Sequence, residues 1–486
     1  MALIEYALFG IAIIALTAMT KSHRVLSALS LIHVLSCFIL IASVLSTAVF
    51  PKYYIGDNFM IDYLAVYEIL IAGAVFLLVV IYRKDYLENL LACGFLNKSN
   101  LVLVYAAMNS LLLVIVLSFS SNNLALLWIF TELTTLFSAL MIAILNSQKN
   151  IDAALKYVFI SSTVMVFTFI GLVLLFTATE KALGAGTLNW SELMENAQKL
   201  EPNVLIAAYA FIFLGFAAKA GIAPFHTALP HAYSKAPSSV STVLSAVVLN
   251  IGLFGILRIY SIMRVTSSVT TASNILLAYG MLSIFIGAFS MLQQRNIRKL
   301  IAFSSVENSG LMLIGIGIST PAALFWVLLH TFAYSLTKAS LFLSTGILQN
   351  QYLSNKVENI KDALTVQPFA SATLILGAAA IIGVPPFLPF TTKFSLLAEI
   401  AKYSIILLIP VLGFILITYA GFAVVLTEAF TRGTGEEKTE TLKRYHSPMG
   451  LKIPIVILLI IVLILGLYTP KELIELINNI TKTLYR

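Results

Sequence analysis

Apolar residues occupy the chain in runs of about 20, separated by short polar stretches. An α-helix needs a run of that length to cross a lipid bilayer. The pattern predicts fourteen spans, at approximately residues 3–20, 25–48, 59–82, 101–119, 123–145, 155–178, 203–226, 238–261, 273–292, 299–318, 322–348, 369–400, 403–430 and 452–469. The chain is therefore predicted to be an all-α polytopic membrane protein.

Composition strengthens this prediction. Of 486 residues, 59% are hydrophobic and only 11% are charged, and the mean hydropathy is +0.96. A soluble domain carries about 25% charged residues. The net charge of +8 is explained by lysines and arginines in loops, and no basic aromatic module indicates a nucleic-acid partner. We therefore expect the chain to be surrounded by lipid.

Loop charge predicts the orientation. One side of the membrane, with the loop at 431–451, receives 17 Lys and Arg, whereas the side with both termini receives 9. Positive charge favours the cytoplasm, so both termini are predicted to lie outside. The N-terminal residues lack a basic region and a cleavage site, so we expect them to begin the first span rather than a removable signal.

Four lysines fall within predicted spans, and Lys219 is the most informative of them. It precedes Gly221 and Pro224, which interrupt segment seven. Glu132 lies near the middle of segment five. An ionisable residue inside a membrane is a functional candidate by default, and broken helices line ion paths. The alternative is a polar residue that only packs between helices. Unlike arginine, both types can exchange protons.

Other polar residues extend this set. Lys156 follows Asp152 by one helical turn and could either join an ion path or snorkel to the interface. His330 and Lys338 are eight residues apart, on roughly one helix face. Glu307 begins segment ten, and Lys393 follows the break at Pro385 and Pro386. Glu68 and Glu428 also lie in apolar segments but are weaker candidates.

Two histidines lie where segment seven ends. His226 and His231 flank Pro230, where we expect no regular helix to set them on one face. A loop or gate role is favoured over a metal site. The two cysteines lack metal-ligand spacing, and no hydrolase, P-loop or dinucleotide motif is present. We therefore expect no cofactor in this chain.

The interruptions recur along the chain. Gly221-Ile-Ala-Pro-Phe225 of segment seven resembles Gly383-Val-Pro-Pro-Phe387 of segment twelve, and Glu132 of segment five corresponds to Glu307 of segment ten. Both pairs are five segments apart. An odd offset turns one copy upside down relative to the other, which is typical of an inverted-topology repeat.

Four motifs together resemble one family. They are Trp128-x-x-x-Glu132-Leu, Lys219-Ala-Gly-Ile-Ala-Pro-Phe-His226 with its continuation to Ser241, Asn296-Ile-Arg-Lys-Leu-Ile-Ala-Phe-Ser-Ser305, and His330-x-Phe-x-x-x-x-x-Lys338. The chain resembles the antiporter-like membrane subunits shared by respiratory complex I, Mrp-type Na⁺/H⁺ antiporters and group 4 membrane-bound hydrogenases. The segment around Glu307 is most similar to the hydrogenase-type branch.

The resemblance implies a domain organisation. Residues 1–100 would hold the first three helices and 101–261 the first inverted five-helix repeat, helices four to eight. Residues 273–430 would hold the second repeat, helices nine to thirteen, and 431–486 a cytoplasmic loop, helix fourteen and a short tail. Helices seven and twelve would be broken.

The resemblance also implies a path. Glu132 would pair with Lys219, and His330, Lys338 and Lys393 would continue a polar axis at mid-membrane. The position on helix eight that is often lysine falls at Asn250, which cannot carry a proton charge. His231 lies where the family has acidic or histidine positions, so the cytoplasmic half-channel could be reassigned to it.

Three functions follow from these observations. The favoured one is a subunit that moves H⁺, or Na⁺, in a prokaryotic plasma-membrane redox complex. Its partner subunits would supply electrons and hold any Fe–S cluster or metal centre. The alternatives are a stand-alone or Mrp-type antiporter and a structural subunit whose polar axis no longer conducts.

Overall fold

The computed structural model describes residues 2–47, 50–145, 147–360, 362–431 and 445–485. Within them the chain is almost entirely helical. Most of the predicted cytoplasmic loop at 431–451, namely residues 432–444, lies outside the described residues.

The first half of the chain forms the helices on both sides of the first break. They are α1 (Leu3–Met19), α2 (His23–Leu45), α3 (Tyr63–Ala92), α4 (Lys98–Phe119), α5 (Leu124–Ala143), α6 (Gln148–Leu183), α7 (Trp190–Asn196), α8 (Pro202–Lys219), α9 (Ala228–Lys235), α10 (Ser238–Val243) and α11 (Leu249–Arg264). A π-helical stretch, Leu244–Val248, joins α10 to α11, so these two form one continuous rod.

The second half repeats the arrangement of long helices around a break. Its helices are α12 (Val269–Leu292), α13 (Ile297–Gly317), α14 (Pro321–Tyr352), α15 (Ala363–Val366), α16 (Pro368–Ile382), α17 (Leu388–Tyr403), α18 (Ile405–Thr431), α19 (Met449–Leu467) and α20 (Lys471–Leu484). Among the described residues, eleven helices are long and apolar enough to cross a membrane. The all-α membrane fold is confirmed, whereas the count of fourteen spans stays a prediction.

Two short strands, which the hydropathy pattern did not predict, precede α3. They are β1 (Lys52–Tyr54) and β2 (Phe59–Ile61), paired antiparallel with Lys52 opposite Ile61. Asp62 follows directly and caps α3, because its side chain accepts a hydrogen bond from the Ala65 amide at 2.9 Å. The hairpin therefore fixes the point at which α3 begins.

Both predicted helix breaks are present. The first long helix ends at Lys219 and the chain turns at Gly221, whose φ is +72°; the second ends at Ile382 and turns at Gly383, whose φ is +92°. Glycine adopts such left-handed backbone without a Cβ clash. Each interruption therefore lies where glycine and proline disfavour a continuing helix.

The structure adds a short helix after the first break, where a loop was expected. His231 lies in a regular helix, α9, although a proline precedes it. Pro230 is the third residue of α9. A proline is tolerated in the first turn because the amide groups there have no partner within the helix. The structure therefore places His231 on a short helix and His226 on the 3₁₀ turn before it.

The centre of the molecule is formed by α11, α13 and α14. The rod is buried from Ser238 to Met263, whereas most of α18 faces outward. Small residues let these central helices approach closely. A Cβ at Gly287 of α12 would lie 2.8 Å from the backbone nitrogen of Glu307 on α13. The candidate polar residues of α13 therefore sit at a tight helix interface.

Candidate functional site

The first polar cluster joins α5, α6 and α8, and consists of Glu132, Thr135, Ser162 and Lys219. Ser162 donates a hydrogen bond to Glu132 Oε2 at 2.7 Å, and Lys219 Nζ donates to Thr135 Oγ1 at 2.9 Å. Lys219 is the last residue of α8 and is 3% exposed. Since Thr135 follows Glu132 by three residues, both partners lie on one face of α5.

Glu132 and Lys219 are therefore neighbours without direct contact. Among the described residues no ion pair within 4.0 Å joins them. The second carboxylate oxygen, Glu132 Oε1, is buried and has no hydrogen-bond partner in the part of the chain that the structure describes. One acceptor of the first cluster is left free for a proton, a water molecule or the lysine itself.

The second polar cluster joins α13, α14 and α17, and consists of Glu307, Asn308, His330, Thr392 and Lys393. Lys393 Nζ lies 3.3 Å from Glu307 Oε1, and both side chains are buried. The Asn308 side-chain amide donates to Glu307 Oε2 at 2.6 Å. The two charges are thus compensated by each other and by a neutral donor.

His330 closes this cluster from α14. Its Nε2 lies 3.1 Å from Asn308 Oδ1, and its Nδ1 lies 2.8 Å from Thr392 Oγ1. An asparagine oxygen only accepts, so Nε2 carries a hydrogen. The Thr392 hydroxyl, which faces Nδ1, also lies 3.2 Å from the Pro389 carbonyl. Asn308 also donates to Glu307, so a continuous line of polar atoms runs from the histidine ring through Asn308 to the ion pair.

Lys338 lies two turns beyond His330 on α14 and is fully buried. Its ammonium donates to Ser304 Oγ at 2.5 Å and to the carbonyl of Ile301. Asn308 in turn donates to the Ser304 carbonyl at 2.6 Å. Lys338 is therefore connected to the second cluster through one turn of α13, with no carboxylate of its own within 4.0 Å among the described residues.

Asn250 lies between the two clusters, on α11. Its Nδ2 donates to Ser335 Oγ on α14 and to Glu68 Oε2 on α3, each at 3.1 Å. Sequence alone shows only that Glu68 falls within an apolar segment, which makes it a weaker candidate. A carboxylate within such an apolar run was itself the available signal.

Three candidates lie outside the buried clusters. Lys156 is exposed on α6, and His226 is buried against the ring of Phe303, 6.1 Å between centroids. His231 is exposed on α9. Burial and the nearby charges of Lys299, Lys156 and Lys235 lower the pKa of His231 below its usual range. This face therefore carries a histidine whose charged form is disfavoured by nearby lysines.

The residues present suit proton exchange better than metal binding. Within the described ranges, no group of three or more His, Cys, Asp or Glu side chains could hold a metal ion. Carboxylates, amines, an imidazole and hydroxyls can instead give up and accept protons in turn. Two acid–base clusters, each with hydroxyl groups beside its lysine or histidine, hold groups that can pass protons.

Comparison with known proteins extends this interpretation. The transmembrane family of NADH:quinone oxidoreductases and Mrp antiporters matches residues 121–418. The chain is 26% identical over 422 residues to the hydrogenase-4 component F homologue of Methylacidiphilum infernorum, covering 86% of this chain and 87% of that protein. It is 26% identical over 352 residues to an Na⁺/H⁺ antiporter subunit of Alkalihalophilus pseudofirmus, covering 72% and 69%.

A solved structure shows the same fold. A chain of the membrane-bound sulfane sulfur reductase, an archaeal respiratory membrane complex, superposes with a TM-score of 0.85. It is 21% identical in sequence, and the match covers 100% of this chain and 97% of the other. Because the family match spans more than half of the chain, this protein belongs to the transmembrane family of NADH:quinone oxidoreductases and Mrp antiporters, as an antiporter-like membrane subunit.

Proposed function

We propose that this chain translocates protons as a subunit of a membrane-bound redox complex, driven by electron transfer in partner subunits of a prokaryotic plasma membrane. The observation that carries the proposal is the pair of acid–base clusters, one at each helix break, each with a buried lysine. Burying ionisable groups costs free energy that packing alone does not require. Any Fe–S cluster or metal centre would belong to the partners.

The proposed path begins at the first cluster. When the Glu132 carboxylate approaches Lys219, it stabilises the ammonium form. When it withdraws to Ser162, the ammonium is left with only the neutral Thr135 hydroxyl. A buried ammonium without a carboxylate is costly, so the lysine releases its proton. Movement of Glu132 would thereby convert a conformational change into proton release.

The second cluster would receive the proton. Lys338 and His330 offer two sites on α14, and the Glu307–Lys393 pair offers an exit group at the second break. His231 and the exposed Lys156 would serve the cytoplasmic side, and His226 would act as a gate beside α9. The predicted inverted repeat would then give each half of the protein one station.

The alternative function is that of an Mrp-type Na⁺/H⁺ antiporter subunit. Its support is the likeness to the Na⁺/H⁺ antiporter protein of Alkalihalophilus pseudofirmus. Purification in mild detergent separates the two functions. Co-migration with subunits that reduce an electron acceptor supports the redox complex, whereas cation exchange by the chain alone in proteoliposomes would contradict it.

The relay itself is tested in everted membrane vesicles that contain the whole complex. Proton uptake on adding the electron donor is followed with a pH-sensitive dye. We expect Lys219→Ala and Glu132→Gln to lower uptake by roughly 100-fold or more, because a positioned acid or base accelerates proton transfer by about 10²–10⁴-fold. Assembly should be unchanged.

The matched controls are Lys356→Ala and Glu358→Gln. These residues form an exposed ion pair at 2.9 Å, with side chains 63% and 58% exposed. They remove the same charges from the surface, and uptake should stay at the wild-type level. Normal uptake by both Lys219→Ala and Glu132→Gln would refute the relay.

A further inference from the structure

A buried carboxylate that no motif marks lies beside Asn250. Glu68 is 2% exposed, on α3. Its described polar partner is the Asn250 amide, 3.1 Å away, and no Lys, Arg or His within the described ranges comes within 4.0 Å of it. A carboxylate buried without a positive partner is unfavourable, and a bound proton relieves the cost.

The side-chain amide of Asn250 also has an acceptor atom that makes no hydrogen bond within the described residues. The two hydrogens of Asn250 Nδ2 go to Glu68 on one side and to Ser335 on the other. Asn250 Oδ1 is buried and has no partner in the described part of the chain. An acceptor oxygen beside a carboxyl group is a place where a water molecule or a carboxyl hydrogen can bind.

The position of this group is between the two clusters. On one side, α11 presses on the end of α8. A Cβ at Gly252 would overlap the backbone of Ala220, the residue after Lys219. On the other side, Ser335 lies three residues before Lys338 and five after His330 on α14. The hydrogen bonds from Glu68 through Asn250 to Ser335 therefore run from α3 to the helix that carries Lys338, across a helix that also packs on α8.

Rigid contacts hold α3 in this place. Asp62 pairs with Arg258 of α11 through two hydrogen bonds of 2.8 Å, both side chains buried. Tyr67 donates to the Leu328 carbonyl, and Tyr82 donates to the Leu343 carbonyl at 2.9 Å, both on α14. Glu68 is thus fixed between α11 and α14 by contacts that do not use its own charge.

We propose that Glu68 is a proton-binding site that carries the relay past Asn250, between Lys219 and Lys338; this rests on the proposed proton translocation. Only O–H and N–H bonds form and break in the step. The carboxylate takes a proton from the Lys219 side, and the carboxyl group returns one to the Ser335 and Lys338 side. Asn250 orients the carboxyl group and holds the water that connects it.

The test is Glu68→Gln in the assembled complex. Glutamine keeps the size and an acceptor oxygen for Asn250 but cannot ionise. We expect proton uptake in everted vesicles to fall to the level of Lys219→Ala, while the complex assembles in wild-type amount. Glu68→Asp, which keeps the ionisable group, should retain part of the uptake. The control is Glu428→Gln, since that carboxylate pairs with Arg295, whose side chain is 67% exposed.

An infrared measurement distinguishes a proton site from a structural residue. A carboxylic acid band that shifts between H₂O and D₂O should disappear in Glu68→Gln and persist in Glu428→Gln. If Glu68→Gln fails to assemble, the same band is followed in Glu68→Asp, where it should be displaced. Normal uptake by Glu68→Gln beside inactive Lys219→Ala overturns this site alone. Normal uptake by both refutes the proposed function itself.

Discussion

The Lys393 ammonium lies 3.3 Å from the Glu307 carboxylate, with both side chains buried between α17 and α13. The corresponding residues of the first break behave differently, because Lys219 donates to Thr135 and Glu132 accepts from Ser162. One break thus holds a closed acid–base pair and the other an open pair. A relay that switches between paired and unpaired lysines needs both geometries.

The Glu307–Lys393 pair predicts that removing one partner destabilises the protein more than removing both. Glu307→Gln leaves Lys393 buried without its carboxylate, and losing one partner of a buried pair costs about 3–5 kcal/mol. Adding Lys393→Met removes the unpaired ammonium and should recover most of that loss. Thermal unfolding of the purified protein would show a lowered Tm for the single variant and a higher Tm for the double variant. A double variant less stable than Glu307→Gln would contradict this account.

Close packing beside Lys219 predicts that an uncharged substitution, Gly252→Ala, lowers both stability and proton uptake. A Cβ at Gly252 would lie 2.7 Å from the Phe216 carbonyl oxygen. Gly252→Ala should therefore push α11 from α8, costing about 1–3 kcal/mol through overpacking, and lower proton uptake because Lys219 is displaced.

The matched control for this variant is Gly413→Ala in α18, where an added Cβ meets nothing within 4 Å. Alanine is a better helix former than glycine by about 1 kcal/mol, so stability should be equal or higher. The interpretation would be wrong if the two glycine variants changed proton uptake equally.

The buried ion pair between Asp62 and Arg258 predicts that another positive residue cannot replace the arginine without loss of stability. Arg258 binds both oxygens of Asp62 and its guanidinium lies 4.3 Å from the centre of the Trp190 ring. Lysine cannot reproduce this planar fork. Arg258→Lys should lower the free energy of unfolding by about 1–3 kcal/mol.

The exposed ion pair of Lys356 and Glu358 provides the comparison for Arg258→Lys. Lys356→Gln, which breaks a surface contact with Glu358, should change stability by less than about 1 kcal/mol. Equal Tm values for the two variants would show that the bidentate geometry contributes nothing.

The lysines around α9 predict a titration shift. Positive charge disfavours the imidazolium, and Lys299 is among the charges that lower the pKa of His231. Lys299→Gln removes one of them, so the pKa should rise toward its usual range. Histidine NMR titration, with His231→Gln to assign the signal, measures this directly. A pKa that stays constant or falls would show that Lys299 does not act on His231.

Local sequence features predicted the fold class and the breaks. The apolar runs required membrane helices, and Gly221 and Gly383 disfavoured their continuation. The family resemblance was confirmed. The helix that contains His231 was missed, because a proline early in a helix gives the same local signal as a loop. The roles of Glu132, Lys219, His330, Lys338 and Lys393 remain predictions.

What the sequence by itself determined was the membrane setting and the list of ionisable residues placed in it, because hydropathy and residue type are local properties. The tertiary structure decided which of them meet. Glu307 and Lys393 are 86 residues apart and Glu68 and Asn250 are 182 apart. Such contacts depend on how helices pack, and only that packing placed a carboxylate from α3 beside the asparagine at which the predicted path was interrupted.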